Sequence, residues 1–352
     1  MRVTRLDILG LVALLAAFLG QGFLVAAMKG SGPAQEGPSW QEEEHAVQQK
    51  VQSTLGADRR EFEARLRRDP ALLRRLGWIA QGFLLLVVGA GYIFFWAITR
   101  LWRGRPVHPA LGAPLPPPWG LRDILRIVLW SGVFIQWVVL AERALFFTVE
   151  PAWMDRHVVA LGNTLLLDGA VLALMAMLLA RRPAPAQPAP GRSGGNMRRI
   201  RFALVEYLTF LPVLFLMLLL VGAVLHLLGQ PPKPQPVFTL YFSEERAAVL
   251  RWLVVLVTVI GPIAEEVFFR GVVYRWLRTR WGVGKALAGS ALFFSVLHGD
   301  PVAFVPIFGL GILFGWVYER TGSLAAAVSI HILHNAGMLT LASLVKDLAR
   351  VT

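Results

Sequence analysis

An all-α, polytopic transmembrane helical bundle of about eight to nine membrane spans is the fold that this sequence predicts. Three observations carry that expectation. The 352-residue chain is 56% hydrophobic and only 16% charged, and its apolar residues gather into runs of about 20, the length a helix needs to cross a bilayer. None of those runs alternates polar with apolar residues in the rhythm of a membrane β-barrel, so the backbone must satisfy its hydrogen bonds inside helices. Lys and Arg concentrate in Arg100 to Arg126, Arg181 to Arg201 and Arg270 to Lys285, segments that alternating spans bring to one side of the membrane.

Taken in order, the spans are expected at Leu6 to Ala27, Trp78 to Ile98, Leu125 to Val149, His157 to Ala180, Phe202 to Leu228, Leu250 to Tyr274, Ala286 to Leu297, Val302 to Tyr318 and Leu324 to Val345. The first follows Arg2 and Arg5 like a signal peptide, but its apolar stretch outruns the usual ~7 to 15 residues and is read as a retained anchor. Residues 29–75 form a polar extramembrane segment in which Ser39 and Glu42 have capping-box spacing and Trp40, Val47, Val51 and Leu55 recur at helical intervals. It is expected to be a surface helix ended by Asp69-Pro70. The Pro/Ala/Gly/Ser stretch 182–196 cannot pack a core and reads as a linker. The division is therefore an N-terminal membrane region, 1–200, and a C-terminal bundle, 201–352.

The net charge of +13 could suggest nucleic acid, yet the basic residues flank apolar spans instead of covering a soluble face, so no nucleic-acid partner is expected. The expected surroundings are the lipid bilayer, with the basic side and the N-terminus cytoplasmic; the high Arg and Ala content points to a bacterial cytoplasmic (inner) membrane. The absence of cysteine excludes thiolate zinc sites and Cys nucleophiles, leaving any metal to His, Glu, Asp or Asn.

Ionisable side chains inside spans cost at least ~2.5 to 3.5 kcal/mol each, which makes a cluster of them a candidate site. Three groups interrupt the apolar C-terminal part: Pro262-Ile-Ala-Glu265-Glu266-Val-Phe-Phe269-Arg270-Gly271, Phe294-Ser-Val-Leu-His298 and His331-Ile-Leu-His334-Asn335. Gly261-Pro262 should break or kink its span, leaving Glu265 and Glu266 at the start of a half-helix. Neighbouring carboxylates point about 100° apart, whereas Glu266 and Arg270 are one turn apart and can pair, so one Glu is braced and the other is free for proton transfer. His331 and Asn335 share a helical face, and His298 must converge with them by packing, helped by Gly309, Gly311 and Gly315.

These three motifs, in this order on successive apolar segments, resemble the CAAX-protease and bacteriocin-processing (CPBP, Rce1-like or Abi) family of intramembrane proteases. The resemblance covers residues 245–345 and none of the first 200. It implies that Glu265 and His298 activate water, that Glu266 and Arg270 brace the site, and that His331 and Asn335 stabilise an oxyanion. It leaves two chemistries open, a glutamate-activated water and a metalloprotease; in the second, zinc would sit on a Glu of the pair (Glu265), His298 and His331, with water as fourth ligand. His-Glu-x-x-His is absent from the chain.

The function expected is thus an intramembrane endopeptidase, with its site near the bilayer midplane, acting on a membrane-associated peptide or protein. Two other classes compete with it: a non-catalytic immunity or scaffold protein using the same pocket, and a transporter, against which the lack of inverted repeats counts. Glu142, Asp168 and Glu206 also lie in apolar spans, but without partners at catalytic spacing they are expected to pair with Arg or line a groove. Gly191-Arg-Ser193-Gly194-Gly195 fits a nucleophile elbow, yet its Pro-Ala and Met-Arg-Arg flanks are not a strand-to-helix turn.

Overall fold

The computed structural model describes residues 4–29, 40–55, 70–104, 110–149, 155–179, 195–229 and 235–351, and among them helices account for all regular structure. The order is α1 (Arg5–Lys29), α2 (Trp40–Leu55), α3 (Pro70–Trp102), α4 (Leu121–Val149), α5 (Arg156–Leu179), α6 (Asn196–Leu227), α7 (Pro236–Ser243) and α8 (Ala247–Val255). A π-helical turn Leu256–Ile260, α9 (Gly261–Glu266) and a second π-helical stretch Val267–Tyr274 then lead into α10 (Arg275–Leu297), α11 (Phe304–Thr321) and α12 (Leu324–Val351). Within 29–75 the described parts are α2 and the start of α3, which opens on Pro70 as Pro favours. Ser39, nearly all of the linker 182–196 and the Gly191–Gly194 part of the elbow-like motif lie outside the described residues.

Seven stretches among the described residues are long and apolar enough to cross a membrane, and the nine segments expected from sequence all fall on helices. The difference has two sources. Ala247–Leu297 is one 51-residue stretch that contains two expected spans. The chain turns between them at Gly282, whose φ of 72° and ψ of 176° an L side chain would strain. The expected span Val302 to Tyr318 is α11, only 18 residues long and ending in Glu319-Arg320-Thr321. It lies inside the bundle, with Leu310, Leu313, Phe314 and Val317 buried. At the rim the pattern inverts: Leu85, Tyr92 and Phe95 of α3 are exposed, as lipid-facing side chains should be.

Polar contacts define two faces. On the Arg-rich face, Asp7 of α1 accepts from Arg122 and Arg126 of α4 at 2.6 and 2.7 Å, and Arg275 donates to the Leu115 carbonyl at 2.7 Å. On the opposite face, His157 at the head of α5 lies between Glu43 of α2 and Glu244 after α7, at 3.3 and 3.0 Å. There Arg246 grips Glu244 and Asp155, and Lys346 of α12 donates to the Tyr241 and Glu244 carbonyls. One apolar core crosses the linker: Ile124, Ile127 and Met175 pack with Phe268, Phe269, Val272 and Phe294. The N-terminal helices are therefore part of the packing around the site.

Candidate active site

Pro262 does not break its helix. Proline lacks an N–H, and the turn before it widens to π-helical spacing, in which the Gly261 N–H bonds the Leu256 carbonyl five residues back. At the same spacing the Val257 carbonyl would meet Pro262, where no donor exists. Asn335 fills that gap, its Nδ2 donating to the Val257 carbonyl at 2.9 Å. Gly261 keeps helical angles of φ −55° and ψ −55°, so the expected break is corrected to a continuous, locally widened helix. The third motif is thereby tied to the first through a carbonyl that proline released.

Glu266 and Arg270 pair as their spacing required, Arg270 Nη1 to Glu266 Oε1 at 3.0 Å, and both side chains are at most 1% exposed. The guanidinium also donates from Nη2 to the Gly311 carbonyl at 3.0 Å and lies over the rings of Phe294 and Phe314, 4.6 and 5.4 Å from their centroids. Gly311 also lets α10 and α11 pack closely, because a Cβ there would stand 2.9 Å from that of Ala291. The same Glu266 oxygen lies 2.9 Å from Nδ1 of buried His331. A carboxylate can only accept, so Nδ1 carries the hydrogen and Nε2 of a neutral ring is left with its lone pair. Nε2 lies 3.7 Å from Glu265 Oε2, and the ring stacks on Phe314 at 4.5 Å and 24°. Glu266 therefore orients the imidazole, and Arg270 compensates the charge that does so.

Glu265 is the exposed member of the pair, with 34% of its side chain accessible against none for Glu266. It opens into a cavity of about 480 Å³ that Asp168, His298, His331, His334 and Asn335 also line, within otherwise mostly apolar walls. His298 caps α10 and its Nδ1 contacts the Phe294 carbonyl at 2.7 Å, which leaves Nε2 without that tether. The Phe294 ring separates the two imidazoles, with centroids 4.5 Å from His298 and 6.0 Å from His331. His334 contacts the Tyr207 hydroxyl at 3.3 Å. A second cavity of about 680 Å³ shares Thr164, Gln235, Val257, His298 and Asp300 with the first and reaches Glu44 of α2, so the way in runs to the face that carries α2.

The structure thus gathers Glu265, Glu266, Arg270 and His331 at bonding or near-bonding distances, brings His298 to the same cavity, and engages Asn335 with the backbone. Asp168 was expected to pair with Arg or line a groove, and α5 delivers it to the cavity wall; its place in an apolar span was the signal available. Glu142 pairs with Asn163 at 3.0 Å, and Glu206 faces Trp316 and Arg320, as residues of structural role would. A zinc ion needs donors about 2.0 to 2.2 Å from itself, so three of them must lie within about 4 Å of one another. Among the described residues the set whose three His, Asp or Glu donor atoms lie within 4.8 Å is Asp155, His157 and Glu244, at the α2 face, where Arg246 already occupies both carboxylates. Glu265, His298 and His331 are not such a set, so the zinc expected on them does not fit this arrangement.

Residues 247–337 match the family model described as type II CAAX prenyl endopeptidase Rce1-like. Over this stretch the chain is similar to the Rce1-like proteases. The membrane-embedded CAAX protease MroQ of Staphylococcus aureus (strain USA300) is 35% identical over 86 residues, which are 22% of this chain and 34% of the relative. The chain thus matches about a third of that curated relative's length. No solved structure matches. The Rce1-like match begins at α8 and runs into α12, so it encloses all three motifs and excludes α5 with Asp168. Seven apolar stretches among the described residues, together with this match, make the chain an integral membrane protein.

Proposed function

We propose that the cavity hydrolyses a peptide bond of a membrane-associated peptide or protein, as an intramembrane endopeptidase that activates water with Glu265. One observation carries the reading: Glu266 fixes His331 so that its unprotonated Nε2 faces Glu265 at 3.7 Å, in a cavity whose other walls are largely apolar. A carboxylate opening into such a cavity is placed to take a proton from one bound water molecule. The resulting hydroxide attacks the carbonyl carbon. Glu265 passes that proton to His331 Nε2, 3.7 Å away, which then donates to the developing oxyanion and returns the proton to Glu265 as the intermediate collapses, while His298 across Phe294 faces the same water. Asn335, engaged with Val257, holds the helix in register and so acts on the reaction through Glu265.

Orientation follows from the two faces. The start of α1 lies on the Arg-rich face, which the positive-inside rule reads as cytoplasmic, and the cavity opens to the other side, beneath α2. Substrate therefore meets Glu265 from the non-cytoplasmic side of the membrane, the inner membrane of a bacterium in this reading. A chain without cysteine suits the check, since a single Cys at Gly299 should react with an impermeant maleimide from outside and one at Thr279 should not. A membrane-anchored reporter peptide in detergent should be cut by the wild type and by Glu142→Gln. Glu265→Gln, His331→Ala and His298→Ala should each lose activity while keeping their fold. Uncut reporter bound equally by all five would instead favour a non-catalytic binding protein.

A further inference from the structure

We infer that Asp168 is the second carboxyl of the site, sharing one proton with Glu265 and returning it to the leaving amine. The inference rests on the hydrolase reading and adds to it a residue from outside the Rce1-like match. Asp168 lies on α5, which packs against the Leu256–Ile260 and Gly261–Glu266 turns. Its Oδ2 is buried and has no hydrogen-bond partner, and the same holds for Glu265 Oε2. Gly261 sits between the two: a Cβ there would stand 3.9 Å from Asp168 Oδ2 and 3.9 Å from Glu265 Oε1. Their separation is thus at most about twice that distance.

The charge count gives the reason for a shared proton. Of the cavity's neighbours, the permanent cation is Arg270, and it is spent on Glu266 and the Gly311 carbonyl. The other ionisable groups facing the space between Asp168 and Glu265 are His298, Asp300, His331 and His334. Asp300 is turned to the Val302 and Ala303 amides, His331 to Glu266 and His334 to Tyr207. Two ionised carboxylates facing one apolar-walled cavity without a cation between them repel, and holding one proton removes the conflict. The step balances as follows. Glu265 takes one proton of the water while the hydroxide bonds to the carbonyl carbon. Asp168 gives its proton to the nitrogen as the C–N bond breaks, and the proton on Glu265 then passes to Asp168, restoring the pair.

The test uses full-length protein in detergent with two readouts. Infrared difference spectra across a pH titration should show a protonated-carboxyl band that vanishes in Asp168→Asn and shifts in Glu265→Gln. With the reporter peptide, Asp168→Asn should keep KM within about threefold, lower kcat by about 100-fold, a usual size for lost general-acid catalysis, and lose one limb of the pH profile. Asp168→Glu should recover part of the rate. A band unaltered in Asp168→Asn, or a variant with wild-type kcat and pH profile, overturns the inference. If Asp168→Asn unfolds, Asp168→Glu decides by its band and profile alone. Wild-type protein that shows the shared band but cuts nothing would fail the hydrolase reading and leave the carboxyl pair standing.

Discussion

Removing the Arg270 guanidinium should unfold the site, and removing its partner as well should restore the fold without restoring activity. Arg270 and Glu266 are buried to within 1% of completely, so Arg270→Met leaves a carboxylate in an apolar core with only His331 Nδ1 to offset it. Breaking such a pair costs about 3 to 5 kcal/mol, whereas replacing both members with apolar groups is often neutral. Met fills much of the space between Phe294 and Phe314, so little cavity penalty adds to the single variant. Arg270→Met/Glu266→Leu should therefore regain most of that loss, giving a coupling energy of about 2 kcal/mol or more in a double-mutant cycle. Reversible unfolding in mixed micelles, followed by circular dichroism, measures it, and the reporter assay runs beside it. The double variant should stay inactive because His331 has lost its anchor. A single variant as stable as the wild type, or a double variant that cleaves, would refute the reasoning.

Three further outcomes follow from the same geometry. Gly311→Val drives a side chain into Ala291, whose Cβ and Cα stand 2.9 and 3.0 Å from the new Cβ, and should cost about 1 to 3 kcal/mol in the same unfolding assay. Gly261→Val puts methyls between Asp168 and Glu265, with the Leu256 carbonyl 3.2 Å behind, and should cut kcat about 100-fold while helix content by circular dichroism holds. At the α2 face, the hydrogen bond from Arg246 holds the Glu244 carboxyl down to about 2 in spite of its burial; at Asp155 burial pushes upward, and the Arg246 bond together with the His157 and Val158 amides outweighs it. Both folded-state values lie below the unfolded ones, so this stabilisation is whole above about pH 4 and drains away as the pH falls toward 2. The thermal midpoint should drop across that window, and Arg246→Gln should flatten the drop.

The fold was legible because apolar run length is a coarse and sturdy signal, and all nine expected segments fall on helices. The span count was legible to within one or two: seven described stretches are long and apolar enough to cross, the longest holds two expected spans that turn at Gly282, and α11 is short with charge near its end. Helical spacing gave the Glu266–Arg270 pair directly. It could not give the π-helical turn at Pro262, because that turn depends on whether another helix supplies a donor to the Val257 carbonyl, and Asn335 does. Nor could it show that Glu266 orients His331, a contact between residues 65 apart in sequence. Asp168 was expected to pair with Arg or line a groove, and it lines the cavity; that this cavity is the one holding Glu265 depends on the packing of α5 against α9, which spacing along the chain does not carry.

The most direct trial of the account is a single-turnover digest of the membrane-anchored reporter in ¹⁸O-water by chelator-treated wild-type protein and by Glu265→Gln. The account predicts that the metal-stripped wild type cuts the peptide and leaves one ¹⁸O in the new carboxyl terminus, while Glu265→Gln binds the peptide and leaves it whole. Cleavage that persists in Glu265→Gln, or that stops on chelation and returns with zinc, would contradict it.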